Sequence, residues 1–184
     1  MKLLAISGSL RAASINSAFC RAAVRLAPQS LEITVFADLG GLPPFNPDLE
    51  TCPPPTVLAF RTAVGDADAL IIASPEYAHG VAGALKNALD WLVSFEGTVC
   101  KPVALINTSA RAHHAYDALR ETLQTMSLDI VKEASTTIPL LGACITEAAM
   151  IQVPDVRHAI RGALEALADH LEGDSTPGPS FPLA

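Results

Sequence analysis

Residues 8–17 read Gly8-Ser9-Leu10-Arg11-Ala12-Ala13-Ser14-Ile15-Asn16-Ser17. Ser9, Ser14 and Ser17 supply hydroxyl donors, Asn16 an amide, and Arg11 a planar fork matched to phosphate oxygens. The segment lies between a short apolar run and a stretch that reads as a helix. The first N–H groups of a helix lack internal partners and carry partial positive charge, so they attract an anion. Neither nucleotide signature is present. Leu10 and Ala13 stand where G-x-G-x-x-G requires glycine, and no Gly-Lys-Ser/Thr follows. A terminal phosphate monoester suits this loop better than a bridging pyrophosphate. The competing reading is an ordinary turn with Ser14 or Asn16 as a helix cap. It accounts for one of the five polar residues.

A second polar stretch is Ser74-Pro75-Glu76-Tyr77-Ala78-His79-Gly80. Its exposed backbone groups suit a flat heterocycle that carries both donors and acceptors, and Tyr77 suits its edge or face. Each residue also has a plainer reading. Glu76 is then a solvated loop charge, Tyr77 a plug onto the body, and His79 a surface polar residue. Farther on, Lys86 and Asp90 are spaced for a weak helical pair. Trp91 lies on an apolar stripe and reads as core or subunit contact. In a third loop, Ser109, Ala110 and Arg111 offer hydrogen bonds to a sugar-like chain or a second ligand. His113 and His114 invite a metal reading, but adjacent residues at a helix start are expected to point apart, and no carboxylate or cysteine pair completes a site.

These loops need a frame, and the hydrophobic pattern provides one. Apolar or β-branched runs at 2–6, 31–36, 67–73, 101–107 and 129–138 read as strands, the last with its β part at 130–131 and 136–138. Between them, 18–26, 56–66, 81–95 and 115–126 read as helices. A proline-rich loop covers 38–55. Residues 139–153 are ambiguous, with a short helix at 145–152, and a last helix runs from 154 or 155 to about 171. The expected organisation is one domain over 1–172, followed by a frayed tail at 173–184. Five strands alternating with helices, with no hairpin signal, imply a parallel sheet covered on both faces. Two doubly wound strand orders remain open, and in both the ligand sits beyond the C-terminal strand ends. All three polar loops leave that edge.

Composition narrows the function class. With 184 residues, half of them hydrophobic and 17% charged, the chain can bury a full core. A net charge of −7 with scattered Lys and Arg argues against a nucleic-acid surface. Cys20, Cys52, Cys100 and Cys144 are far apart and show no metal-ligand spacing, so free thiols in a reducing compartment are expected. Met1-Lys2 runs straight into a strand, and no apolar run reaches about 18 residues. No signal peptide and no membrane span are expected, and the cytoplasm is the expected location.

Taken together, Gly8-Ser9-Leu10-Arg11…Ser14…Asn16 and Pro75-Glu76-Tyr77…Gly83…Leu85-Lys86-Asn87-Ala88…Asp90-Trp91 resemble the NADPH-dependent FMN reductase family. That family includes flavin reductases, azoreductase-like quinone reductases and chromate-reducing flavoproteins. The resemblance runs from about residue 1 to 120. It implies an α/β, flavodoxin-like three-layer sandwich whose five-stranded parallel sheet has the order 2-1-3-4-5. It implies FMN, with its phosphate against Ser9, Arg11, Ser14, Asn16 and Ser17. The ring would rest on Pro75, Glu76, Tyr77, Ala78 and His79, largely through backbone, with Ser109 at its border. It also implies a homodimer or homotetramer, with the helix holding Trp91 in the contact. Three departures stand out: Ala78 replaces the asparagine usual after the tyrosine, Ala82-Gly83 replaces a Pro-Gly pair, and Asn107-Thr108-Ser109-Ala110-Arg111-Ala112-His113 replaces the glycine-rich third loop of many members.

The activity implied is hydride transfer in two half-reactions, from NADPH or NADH to FMN and then to a flavin, quinone or similar small-molecule acceptor. No catalytic acid, base or nucleophile is nominated, because the cofactor carries the chemistry. A flavodoxin-like electron carrier and a non-catalytic flavin-binding module are the alternatives. Arg11 speaks against the carrier, whose phosphate loop is normally free of arginine. A phosphatase of similar scaffold would need a cysteine five residues before Arg11, and no cysteine precedes Cys20.

Overall fold

The computed structural model describes residues 1–111, 113–140 and 145–174. In chain order its elements are β1 (Lys2–Ser7), α1 (Ile15–Leu26), β2 (Glu32–Val35), α2 (Pro55–Gly65), β3 (Ala69–Ala73), β4 (Glu76–Tyr77), β5 (Gly80–Val81), α3 (Gly83–Asp90), β6 (Pro102–Asn107), α4 (His113–Thr125), β7 (Asp129–Ile130), β8 (Thr136–Thr137), α5 (Glu147–Gln152) and α6 (Pro154–Asp174). The main sheet is parallel, in the order β2-β1-β3-β6-β7, with β8 also pairing β6. This is the flavodoxin-type order. The expected fifth strand is two short pieces on the same neighbour, separated by a turn at residues 132–134.

Continuous apolar strands are what a sheet buried on both faces requires, and period-2 alternation divides their side chains between two cores. Leu3 and Ala5 of β1, Ile71 of β3 and Ile106 of β6 pack with α1, α5 and α6. Leu4 and Ile6, Leu70 and Ile72, and Val103 and Leu105 pack with α2, α3 and α4 on the opposite face. The crossover from β1 to β2 therefore runs over one face, and that from β2 to β3 over the other. The chain diverges at the C-terminal ends of β1 and β3, where open α/β sheets bind ligands.

The stretch after β3 is a hairpin: Glu76 pairs with Val81 and Tyr77 with Gly80, antiparallel. The helix expected over 81–95 is accordingly only Gly83–Asp90, because the hairpin takes Val81. Beyond Asp90 the chain tightens into i−3 turns, with Leu92 N–H donating to the Leu89 carbonyl and Phe95 N–H to that of Leu92. Trp91 is 0% exposed, inside the second core, and its Nε1 donates to the Pro43 carbonyl at 2.8 Å. Of the two readings of Trp91, core or subunit contact, the structure shows the first: its side chain is a core anchor for the proline-rich loop.

Among the described residues Cys20, Cys52 and Cys100 are free, and burial pushes the Cys20 thiol up to about 12. Cys144 lies outside the described residues, as do 175–184 of the expected tail. No described helix is long and apolar enough to cross a membrane.

Candidate functional site

The loops that follow β1, β3 and β6 enclose an open cleft of about 360 Å³ at the C-terminal sheet edge. That volume lies within the range of small-molecule sites, roughly 300–1,000 Å³. Gly8 lets the first two loops meet. Its N–H donates to the Ala73 carbonyl at 2.8 Å, and a Cβ there would stand 2.6 Å from Ser74 Oγ.

The first loop is shaped by its own hydroxyls. Ser7 Oγ accepts from Ser9 N–H at 3.3 Å, and Ser9 Oγ from Arg11 N–H at 3.4 Å. Ser14 is the N-cap of α1, and its side chain accepts from Ser17 N–H at 3.2 Å. That cap starts α1 at Ile15, three residues before the helix expected from hydrophobicity alone. Ser9, Arg11, Ser14 and Asn16 all line the cleft, together with Ala13 and Ile15. Asn16 is buried, and its Oδ1 accepts from Thr108 Oγ1 at 2.9 Å. Ser17 is not on the wall; its Oγ shares a hydrogen bond with Ser7 Oγ at 2.9 Å.

The second loop contributes Ser74, Pro75, Glu76 and Tyr77 to the cleft, and Tyr77 is 56% exposed. Ala78 and His79 are absent from the wall because they form the hairpin tip. Both have left-handed backbones, φ 50° and 58°, the requirement of a two-residue type I′ turn. Glu76 is neither solvated nor free. One carboxylate oxygen accepts from Ala115 N–H in the first turn of α4 at 2.9 Å, and the other meets His79 Nδ1 at 3.1 Å. The Ala115 N–H, with help from the imidazoles of His79 and His114, holds the Glu76 carboxyl below its ordinary range. Glu76 is thus a latch between hairpin and helix.

The third loop adds Thr108, Ser109 and Arg111. Asn107 Oδ1 accepts from Ser109 N–H at 3.0 Å, and Ser109 Oγ from Arg111 N–H at 3.4 Å. Thr108 was not foreseen; its position just past an apolar strand is the signal that marks it. His113 and His114 do not point apart, since their ring centroids are 4.0 Å from one another, and His79 meets His114 edge-on at 4.4 Å. No group of metal-ligating side chains occurs among the described residues.

A profile of the NADPH-dependent FMN reductase family matches residues 1–136, which include all three cleft loops. The chain belongs to the NADPH-dependent FMN reductase family. It is 43% identical over 116 residues to an NAD(P)H-dependent FMN reductase of Pseudomonas aeruginosa, covering 60% of each chain. It is 39% identical over 115 residues to a 2-hydroxy-1,4-benzoquinone reductase of a Burkholderia species, covering 61% of this chain and 62% of that one. The chain therefore spans about 60% of the length of these curated relatives. Among solved structures, a flavoenzyme NAD(P)H:(acceptor) oxidoreductase of Paracoccus denitrificans superposes with a TM-score of 0.73 at 26% identity, covering 94% of this chain and 97% of that one.

Proposed function

We propose that this chain is an NAD(P)H-dependent oxidoreductase that holds FMN in the three-loop cleft and passes electrons to a small acceptor, a flavin or a quinone. The observation that carries this reading is the meeting of two unlike walls in one cleft. A hydroxyl- and arginine-bearing helix N-terminus faces a rigid, half-exposed hairpin at the point where the chain diverges over the two sheet faces.

The donor set fits FMN. Ser9, Arg11 and Ser14, with the first N–H groups of α1, hold the terminal phosphate. Asn16, its carbonyl oxygen committed to Thr108, offers its amide donor. Pro75, Glu76 and Tyr77 carry the ring through their backbone, and Ser109 borders it. Ser17, Ala78 and His79 act behind the wall, fixing the shape of the two loops. When bound, FMN supplies the centre that accepts hydride from the nicotinamide and releases electrons to the acceptor. No acid–base pair is needed from the protein, and the one carboxylate on the wall is already committed to Ala115 and His79.

The same reading includes a homodimer or homotetramer in the cytoplasm. Exposed Val93 and Val99, beyond α3, are apolar surface available for assembly. The test is the purified protein itself. It is expected to be yellow and, with NADPH or NADH and a quinone, to bleach the nicotinamide absorbance band. A colourless protein that takes up no FMN offered in excess overturns the proposal. A yellow protein that oxidises neither nicotinamide reduces it to an electron carrier.

A further inference from the structure

Two guanidinium groups line the cleft, Arg11 from the first loop and Arg111 from the third. One phosphate monoester accounts for one of them. Ion pairs among the described residues engage Arg21, Arg25 and Arg161, and neither Arg11 nor Arg111 takes part in one. Cations are scarce in this chain, 12 Lys and Arg against 19 Asp and Glu, so an unpaired arginine on a cleft wall is a local reversal of sign. Immediately after this loop, α4 opens with the rings of His113 and His114 in tilted contact, their centroids 4.0 Å apart. The carboxylate nearest to them in the cleft, Glu76, is spent on Ala115 N–H and on His79. This side of the cleft therefore presents the Arg111 guanidinium, with two exposed imidazoles following it in the chain and its wall carboxylate already satisfied.

We propose that Arg111, with His113 and His114 beside it, forms an anion subsite at the rim that takes a second oxyanion, separate from the phosphate held by Arg11. The oxyanion is the phosphate on the adenosine ribose that distinguishes NADPH from NADH, or an anionic group on the acceptor. An arginine in this role is the usual device for the ribose phosphate, because its fork meets two oxygens at once. The assignment rests on the nicotinamide- and flavin-dependent activity proposed above.

The test has a binding arm and a kinetic arm, both on the protein as purified. Calorimetric titration with adenosine 2′,5′-bisphosphate and with adenosine 5′-monophosphate reads the subsite without turnover. kcat/KM for NADPH and NADH with a neutral quinone, and for a sulfonated against a neutral quinone, reads it in catalysis. Arg111→Ala is expected to lose about tenfold for the ligand that carries the extra anion, and Arg111→Lys to recover part of that loss. An unchanged melting temperature certifies the fold, and His114→Gln serves as a second, milder variant. A loss confined to NADPH and the bisphosphate assigns the oxyanion to the reductant; one confined to the sulfonated quinone assigns it to the acceptor. Unchanged affinities and unchanged kcat/KM ratios in Arg111→Ala overturn the subsite. Absence of nicotinamide oxidation by the unaltered protein overturns the proposed activity instead, and the calorimetry still decides the subsite.

Discussion

The first and second loops of the cleft are built on opposite plans. In the first, side chains hold the backbone and also line the cleft: Ser9, Arg11 and Ser14 are on the wall, and Ser7, Ser9 and Ser14 accept the loop's own N–H groups. In the second, Ser74, Pro75, Glu76 and Tyr77 line the wall, and the residues that turn the hairpin, Ala78 and His79, are off it. A charged phosphate calls for charge and directional donors, whereas a flat ring calls for a stiff ledge. Substitution should therefore act on ligand affinity in the first loop and on local stability in the second.

The largest effect should come from Arg11→Ala. Losing a charge-assisted contact to phosphate costs roughly 1.5–3 kcal/mol, so FMN affinity is expected to fall about 10- to 100-fold with little change in melting temperature. Flavin fluorescence titration checks this. Equal affinity in the variant would remove the side-chain half of the contrast. Next is Ala78→Val. Ala78 already bears the Cβ cost of a left-handed backbone, about 1–2 kcal/mol, and a β-branched side chain at φ 50° adds further strain to the hairpin. It should lower the thermal midpoint and increase amide exchange over residues 76–81, although Ala78 is off the cleft wall. A variant as stable as the parent would show that the hairpin is not held in this backbone form.

This division also decides what the sequence could reveal. The first loop was legible as cleft wall because its hydroxyls, amide and guanidinium cluster just past a buried strand, and Ser9, Arg11, Ser14 and Asn16 do line the cleft. The strands were legible because burial on both faces leaves an unbroken apolar run. The hairpin was not. Type I′ turns are ordinarily marked by Asn-Gly or Asp-Gly, and Ala78-His79 carries neither, so pairing across the turn had no local signal. Glu76 misled in the same way. Its partner Ala115 N–H is set by tertiary approach of α4, which no spacing in the chain encodes, and its other partner, His79, is brought back to it by the same unmarked hairpin turn. Trp91 was legible as a core residue from its apolar stripe, but the partner of its indole N–H was not, because that carbonyl is in a loop 48 positions away.

A smaller effect is expected at Ser14, where the two plans touch. Its Oγ accepts from Ser17 N–H as the cap of α1, so Ser14→Ala should cost about 1 kcal/mol of unfolding free energy in urea, on the order of a lost N-cap. FMN affinity should fall as well, because the same hydroxyl lines the wall. Stability lost without affinity would place Ser14 with the second loop's way of working, as a residue that shapes but does not touch.

The smallest expected effect is the response of the Glu76 latch to acid. Its carboxyl titrates below the ordinary glutamate range, about 4.3, because the folded chain offers the anion the Ala115 N–H and the nearby imidazoles. A group held low in the folded state adds stability above its unfolded value and loses it as pH falls through the folded one. The latch should therefore be fully present at neutral pH and release only below the ordinary glutamate value. Amide exchange at Ala115 is the readout, since that N–H loses its carboxylate acceptor on protonation. Its protection factor, taken against the intrinsic rate at each pH, should fall toward acid in the parent chain and be low and flat with pH in Glu76→Ala. Exchange that is protected equally in both would mean that α4 caps its own first turn, and the hairpin would then owe its order to the left-handed pair alone.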